Sequence, residues 1–416
     1  MPSMNPEPVG LRARSRRAFL SLGAAWSAAL VACRSKAGAP AAAEPRTLGA
    51  PVSDYGARSK FETAKRFFQK DTKRPPEEGS SQTPLHDTYG IITPSSLHFE
   101  RHHSGVPEID PATHTLTIHG LVERPLVFTV DEIKRLPSVS RIHFVECSGN
   151  SGSEFRSSGA NDLQRAHGLT SCSEWTGVPL SLLLKKCGVK PEGKWILAEG
   201  ADPGRHDRSL PMAKAMDDVL VAYGQNGEPI RPEQGYPMRL LVPGWEGNVN
   251  VKWLRRVKVL AEPAMTREET SKYTDLMPDG TARQFTVYMD AKSLITRPAA
   301  GDTMPGRGFC EITGLAWSGR GSITKVDVTT DGGRTWAPAQ LQTPVLPKAH
   351  TRFRFAWNWD GGEALIASRA TDESGYTQPP ISALVEVRGL NSNYHNNGIQ
   401  LWKIAADGTV TNGNRA

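Results

Sequence analysis

Apolar and polar residues alternate along much of the chain. Thr115-Leu-Thr-Ile-His-Gly-Leu-Val122 alternates with period two and predicts a strand, which Pro125-Leu-Val-Phe-Thr-Val130 continues. Arg141-Ile-His-Phe-Val145 predicts another short strand, and Cys147-Ser-Gly-Asn150 a turn at its end. Short helices are predicted at 130–137, with Asp131 near the start, and at 180–188, amphipathic and closed by Gly188. A third is predicted at 210–216, with Pro211 in its first turn. Helices and strands mix without strict strand–helix–strand alternation, so residues 91–262 read as an α+β domain.

Beyond residue 283 only strands and turns are predicted: 284–288, 310–317, 323–330, 351–357 and 364–370. Asp331-Gly332 between alternating runs is a hairpin signal. This spacing predicts an all-β sandwich of immunoglobulin type over 263–390. Residues 44–90 are polar and charged, with a loop at 73–78, and read as an extended arm. Residues 391–416 form a polar tail rich in asparagine, with the apolar segment Gln400-Leu-Trp-Lys-Ile404 inside it. That segment either packs on its own domain or docks on a partner.

Length and composition fit this division. A chain of 416 residues with 39 Gly and 31 Pro has room for two or three turn-rich domains. The net charge of +7 changes the picture little. Residues 1–40 carry six Lys/Arg against one Glu, which leaves 44 basic and 42 acidic residues beyond them. No basic run is interleaved with aromatics, which excludes a nucleic-acid binder. Arg16 and Arg17 precede an apolar run over 18–32, the pattern of a twin-arginine export signal spanning 1–43 and directing the chain to the periplasm. Leu30-Val-Ala-Cys33 also fits a lipoprotein cleavage box, and Ala-rich sites lie at 37–39 and 41–43, so lipid-anchored and soluble mature forms both stay open. No transmembrane helix is expected in the mature chain. Of the five cysteines, Cys172 and Cys187 are free to pair or not on spacing alone. No Cys-x-x-Cys-His occurs, so no haem attaches to this chain through that motif.

Candidate chemistry sits in ordered segments. Cys147 ends a strand beside glycines and offers a soft thiolate to a transition metal; equally, it is a small hydrophobe closing a core strand. Leu97-His-Phe-Glu-Arg-His-His-Ser-Gly-Val-Pro107 holds Arg101, able to grip an oxyanion, and three histidines without a cysteine at zinc-finger spacing. Glu199-Gly-Ala-Asp-Pro-Gly-Arg-His-Asp-Arg-Ser-Leu-Pro211 holds Asp202 and His206. Gln234-Gly-Tyr-Pro-Met-Arg239 and Gly247-Asn-Val-Asn-Val-Lys-Trp253 follow, and Lys252 suits a phosphate.

Taken together, these segments resemble the sulfite oxidase family over about residues 97–388, and Gly168-Leu-Thr-Ser-Cys-Ser-Glu-Trp-Thr-Gly-Val-Pro-Leu180 resembles its sulfane dehydrogenase branch. The resemblance implies a molybdenum–molybdopterin cofactor with Cys147 as metal ligand. It implies cofactor contacts from His98, Phe99, Glu100, Arg101, His102, Asp202, Gln234, Arg239, Asn250, Val251 and Lys252, with Gln234 replacing a usual histidine. Arg101 matches the family's active-site arginine, and His206 falls where a tyrosine usually stands. Gly152 replaces an arginine common in sulfite oxidases. Those two departures imply a pocket short of one charge and one phenol, opened at Ser151 and Gly152. Such a pocket suits sulfane sulfur on a flexible carrier-protein arm, with electrons leaving to a c-type cytochrome subunit. The sandwich is expected to dimerise the chain within a hetero-oligomer. Free sulfite as substrate, a reductase of the same family, and a cofactor-free binding module are the competing readings. A Cys-nucleophile hydrolase is disfavoured, because no histidine is placed by motif to activate Cys147.

Overall fold

In a computed structural model of the chain, residues 48–69, 75–157 and 159–413 are described. The export signal, Cys33 and part of the 73–78 loop lie outside them. Residues 48–62 belong to a separate unit and carry no helix or strand. The described residues from Thr63 onward form the other unit.

Two sheets build the α+β part. One runs Glu228–Pro229, Leu220–Gln225, Thr170–Pro179, Val139–Glu146, with Arg239–Leu241 also pairing to Leu220–Gln225. The other runs Leu126–Thr129, Thr115–Gly120, Leu254–Leu260, Trp195–Gly200, Asp207–Pro211. Thr115–Gly120 and Leu254–Leu260 pair in parallel, and the other neighbours in this sheet are antiparallel. The alternation in Thr115–Gly120 does what a period of two requires: Leu116 and Ile118 are fully buried and their neighbours are not.

The short helices form at the expected places, with one shift. Val130–Lys134 is opened by a capping box in which the Thr129 hydroxyl accepts from Glu132 N–H and the Glu132 carboxylate accepts from Thr129 N–H. Leu180–Cys187 buries Leu180, Leu183, Leu184 and Cys187 on one face. The third helix is Met212–Asp217; Leu210 and Pro211 end the preceding strand instead of starting the helix.

The arm is more than an extension. Phe67–Gln69 and Gly79–Gln82 form a three-stranded antiparallel sheet with Glu100–His102. Ser80 pairs with Arg101 in its register. Strand pairing outweighs the polar composition, and the strand buries two polar residues, Ser81 and Gln82, at its end.

The sandwich pairs one sheet, Lys292–Arg297, Gly308–Trp317, Thr351–Trp359, Gln340–Leu341, with another, Ala337–Pro338, Ile323–Thr329, Ala364–Asp372, Leu401–Ile404, Val410–Asn412. Asp331-Gly332 turns within a hairpin, where Asp327 faces Pro338 and Val328 faces Ala337. Two expectations differ. Residues 284–288 form no strand, only one bridge from Tyr288 to Trp245, and the sandwich region includes a helix, Ile381–Arg388. The tail alternative resolves toward its own domain: Leu401–Ile404 pairs with Ala364–Ala367, and Trp402 is wholly buried.

One hydrophobic cluster joins the two halves. Phe144, three residues before Cys147, lies in the same core as Trp317, Phe353 and Trp402. Cys172 belongs to that core and Cys187 to another, and both are free thiols. Among the described residues no helix is long and apolar enough to cross a membrane.

Candidate functional site

The strand Val139–Glu146 delivers Cys147 to the floor of a pocket whose walls come from five stretches of chain. The turn after it is closed by Asn150 N–H donating to the Cys147 carbonyl (2.9 Å). Gly247 lets a second loop come this close, because a Cβ there would lie 2.8 Å from the Glu146 carbonyl oxygen. Burial pushes the Cys147 thiol above its ordinary range, while Arg101 pulls it down.

His98, Phe99, Arg101 and His102 line one side. Arg101 is tethered through Nη1, which donates to the carbonyls of Gly79 (3.3 Å) and His102. The arm's second strand thus helps aim the guanidinium. His98 is buried and pushed down to about 3 by that burial, so it is a neutral imidazole, donating Nδ1–H to the Phe99 carbonyl (3.2 Å). Glu100 does not line the pocket; it pairs with Arg66 and with His102 (3.0 Å).

Asp202 accepts from Ser104 Oγ (2.9 Å) and from the His206 N–H (3.1 Å), which folds the 199–211 loop against the pocket. His206 donates Nε2–H to the Asn248 carbonyl (2.8 Å), and burial lowers its affinity for a second proton. Its Nε2 proton is thus committed to a carbonyl, and burial disfavours its charged form.

Gln234, Arg239, Asn250 and Lys252 close the far end. Gln234 donates to the Phe99 carbonyl (2.8 Å), and Arg239 to the carbonyls of Gln234 and Asn250 (both 3.0 Å). Asn250 accepts from Val242 N–H (2.7 Å). Val251 turns its side chain into the hydrophobic core and is not part of the lining. Lys252 donates to the carbonyls of Arg101 and Glu233 (both 3.2 Å) and to His102 Nδ1 (2.8 Å). Burial and the Arg239 charge push it down to about 7.

The departures read from the sequence do not open the pocket as expected. Gly152 is filled from outside: a Cβ there would lie 2.1 Å from the Asn393 carbonyl oxygen of the tail. Ser151 is buried, its hydroxyl accepting from Lys292 Nζ (3.1 Å) and from Asn396 Nδ2 (3.2 Å). The phenol is present too. Tyr273, from a segment with no recognisable motif, lines the pocket, and its hydroxyl lies 3.0 Å from His103 Nε2. Its ring stands edge-on to His206 at 6.2 Å and over Arg208 at 5.1 Å. His103, Ser104, Asn248, Trp253 and Tyr273 were missed as site residues. The signal available for one of them was the second histidine of the His102-His103 pair. Ser151, Trp253 and Tyr273 all stand at positive φ, a clustering of backbone strain around the site.

A metal–pterin group with a phosphate tail fits these walls. Two cationic side chains, Arg239 and Lys252, sit at one end with no carboxylate among their hydrogen-bond partners. Buried polar atoms on lining residues lack partners: His98 Nε2, an acceptor, Arg239 Nε, a donor, and Asn248 Oδ1, an acceptor. Unpaired buried groups of both kinds are costly alone and would be satisfied by a polar heterocycle and its phosphate.

Comparison with known proteins agrees with this geometry. Residues 103–268 match the oxidoreductase molybdopterin binding domain, and residues 283–401 match the Mo-co oxidoreductase dimerisation domain. The crystal structure of the sulfane dehydrogenase SoxCD from Paracoccus pantotrophus is 49% identical, with a TM-score of 0.86, over 88% of this chain and 95% of that one. Mitochondrial sulfite oxidase of Rattus norvegicus is 31% identical over 74% of this chain and 61% of its own length. NADH nitrate reductase of Solanum lycopersicum is 32% identical over 73% of this chain, which spans 38% of the plant protein.

Proposed function

We propose, starting from the fact that this chain belongs to the sulfite oxidase family of molybdopterin-dependent oxidoreductases, that it oxidises sulfane sulfur held on a carrier protein and passes the electrons to a c-type cytochrome subunit. The observation that carries this reading is the 49% identity to a sulfane dehydrogenase across nearly the whole of both chains. The pocket supports it. Arg101 lines the pocket with Cys147, Arg239 and Lys252 donate to backbone carbonyls, and the place of a further arginine is taken by Gly152, which the tail covers. A free dianion gains from several cations converging on it; a sulfur atom on a protein arm needs fewer.

When bound, the molybdenum–pterin group supplies two-electron redox chemistry with transfer of an oxygen atom to sulfur. Cys147 is the residue that would hold the metal, as a thiolate whose protonated form burial otherwise favours. Arg239, Lys252 and Asn250 hold the pterin and its phosphate, with Asp202 shaping the loop beside them. Arg101 orients the incoming sulfur group, held by its two carbonyl tethers. Tyr273 and His103 form a hydrogen-bonded pair beside it.

The electrons then leave to the cytochrome subunit; the sequence carries no Cys-x-x-Cys-His of its own. The sandwich serves as the dimerisation domain, and the twin-arginine segment sends the loaded protein to the periplasm. The deciding experiment compares turnover on carrier-bound sulfane sulfur with turnover on free sulfite, using cytochrome c as acceptor. Sulfane turnover is expected to dominate; efficient sulfite oxidation without carrier activity overturns the reading.

A further inference from the structure

The pocket phenol is not held by its own element. Tyr273 lies in the turn between Arg267–Thr270 and Asp275–Leu276 at φ +49°, a backbone region that costs a tyrosine energy. The group that meets it comes from 121 residues further along: Tyr273 N–H donates to the Tyr394 hydroxyl oxygen at 3.3 Å. The two rings pack with centroids 5.5 Å apart at 42°.

Tyr394 is itself clamped to the metal-cysteine loop. Arg388 donates to the carbonyls of Tyr394 (3.2 Å) and His395 (2.8 Å). His395 N–H donates to the Ser148 carbonyl (2.7 Å), one residue past Cys147, and its Nε2 lies 3.1 Å from the buried Glu246 carboxylate. On the other side, Asn393 fills the space at Gly152. Asp275 closes the frame, accepting from Ser392 Oγ (2.9 Å) and Asn393 N–H (3.0 Å). The tail therefore touches both the Cys147 loop and the turn that carries the pocket phenol.

We propose that Tyr394 is a positioning residue of the active site, which fixes the ring of Tyr273 relative to Cys147 and Arg101 and so ties the geometry of the reacting pocket to the C-terminal tail. This rests on the pocket being the molybdopterin site. It does not depend on which sulfur compound is oxidised.

A double-mutant cycle on the loaded enzyme tests it, with Tyr394→Ala, Tyr273→Phe and the pair. Tyr394→Ala is expected to lower kcat by about tenfold or more with molybdenum content unchanged, since small misplacements near reacting groups carry large rate penalties. In the Tyr273→Phe background the same change is expected to cost less than about twofold, because the two act through one group. Tyr394→Phe keeps the ring and removes the oxygen that accepts the Tyr273 N–H; it is expected to restore part of the rate. A second readout needs neither cofactor nor substrate: a fluorotyrosine placed at 273 in the cofactor-free protein should shift or broaden its 19F line in Tyr394→Ala and less in Tyr394→Phe. A full, additive loss in the Tyr273→Phe background, or an unmoved 19F line, overturns the proposal. Failure to oxidise carrier-bound sulfur while the 19F line still moves overturns the substrate reading alone.

Discussion

Lys292, in the first strand of the sandwich, donates to the carboxylate of Glu146, the residue before Cys147, at 3.2 Å, with side chains 3% and 1% exposed. The same carboxylate accepts from Trp317 Nε1 (2.7 Å) and Asn150 Nδ2 (2.9 Å). The dimerisation domain thus reaches under the Cys147 loop through a fully satisfied ionic group. Removing one partner leaves the other charge buried. Lys292→Met is expected to cost about 3–5 kcal/mol in chemical denaturation, and Lys292→Met with Glu146→Gln to recover much of it.

Gly152 has no room for a side chain. In Gly152→Ala the new methyl must displace the Asn393 carbonyl, at an expected cost of about 1–3 kcal/mol and a lower Tm. An arginine introduced there is expected to dislodge the tail before it adds charge to the pocket. Sulfite turnover that improves in Gly152→Arg with an unchanged Tm contradicts this.

Cys147→Ser is expected to lose molybdenum from the purified protein and to abolish turnover, while the melting curve of the cofactor-free form stays close to that of the parent. Elemental assay reads the first, and normal metal content in this variant rules out the ligand role.

Lys252 gives the cofactor-free protein a pH signature. Its folded-state value is about 7 against an ordinary 10.5. Between those values the unfolded chain binds the extra proton and the folded chain does not, so this residue makes stability rise with pH through that window. Below about 7 both states are protonated and its contribution is flat, at its least favourable. Denaturation of the cofactor-free protein at a series of pH values should show a slope between 7 and 10 that is reduced in Lys252→Met. A bound phosphate raises the lysine's proton affinity and should reduce the slope in the same way.

The tail is structural as well as positional. Trp402 is fully buried and donates Nε1–H to the Ile295 carbonyl (3.0 Å). Trp402→Ala is expected to cost about 3–5 kcal/mol, read from urea denaturation.

Residue order alone carried a good deal. Period-two alternation named Thr115–Gly120 and, in the sandwich, Thr351–Trp359, because each buries one face. The family resemblance rested on segments that are local in sequence, so Cys147, Arg101, Asp202, Arg239 and Lys252 could be picked out one by one, and all of them line one pocket. Gly152 was legible as a missing side chain. It was not legible as a contact, since only the folded chain shows the Asn393 backbone in that space.

Tertiary structure decided the rest, for one physical reason: the missing information is long-range contact. Tyr273 carries no local pattern, and it enters the pocket because the turn holding it is stapled to a tail 121 residues away. Residues 44–90 read as an extended polar arm, yet Phe67–Gln69 and Gly79–Gln82 in it complete the sheet that aims Arg101. Glu146 and Lys292 look like ordinary charges on separate strands; burial beside one another makes them a single group. Composition and periodicity settle which face of an element is buried, whereas only packing settles what it is buried against.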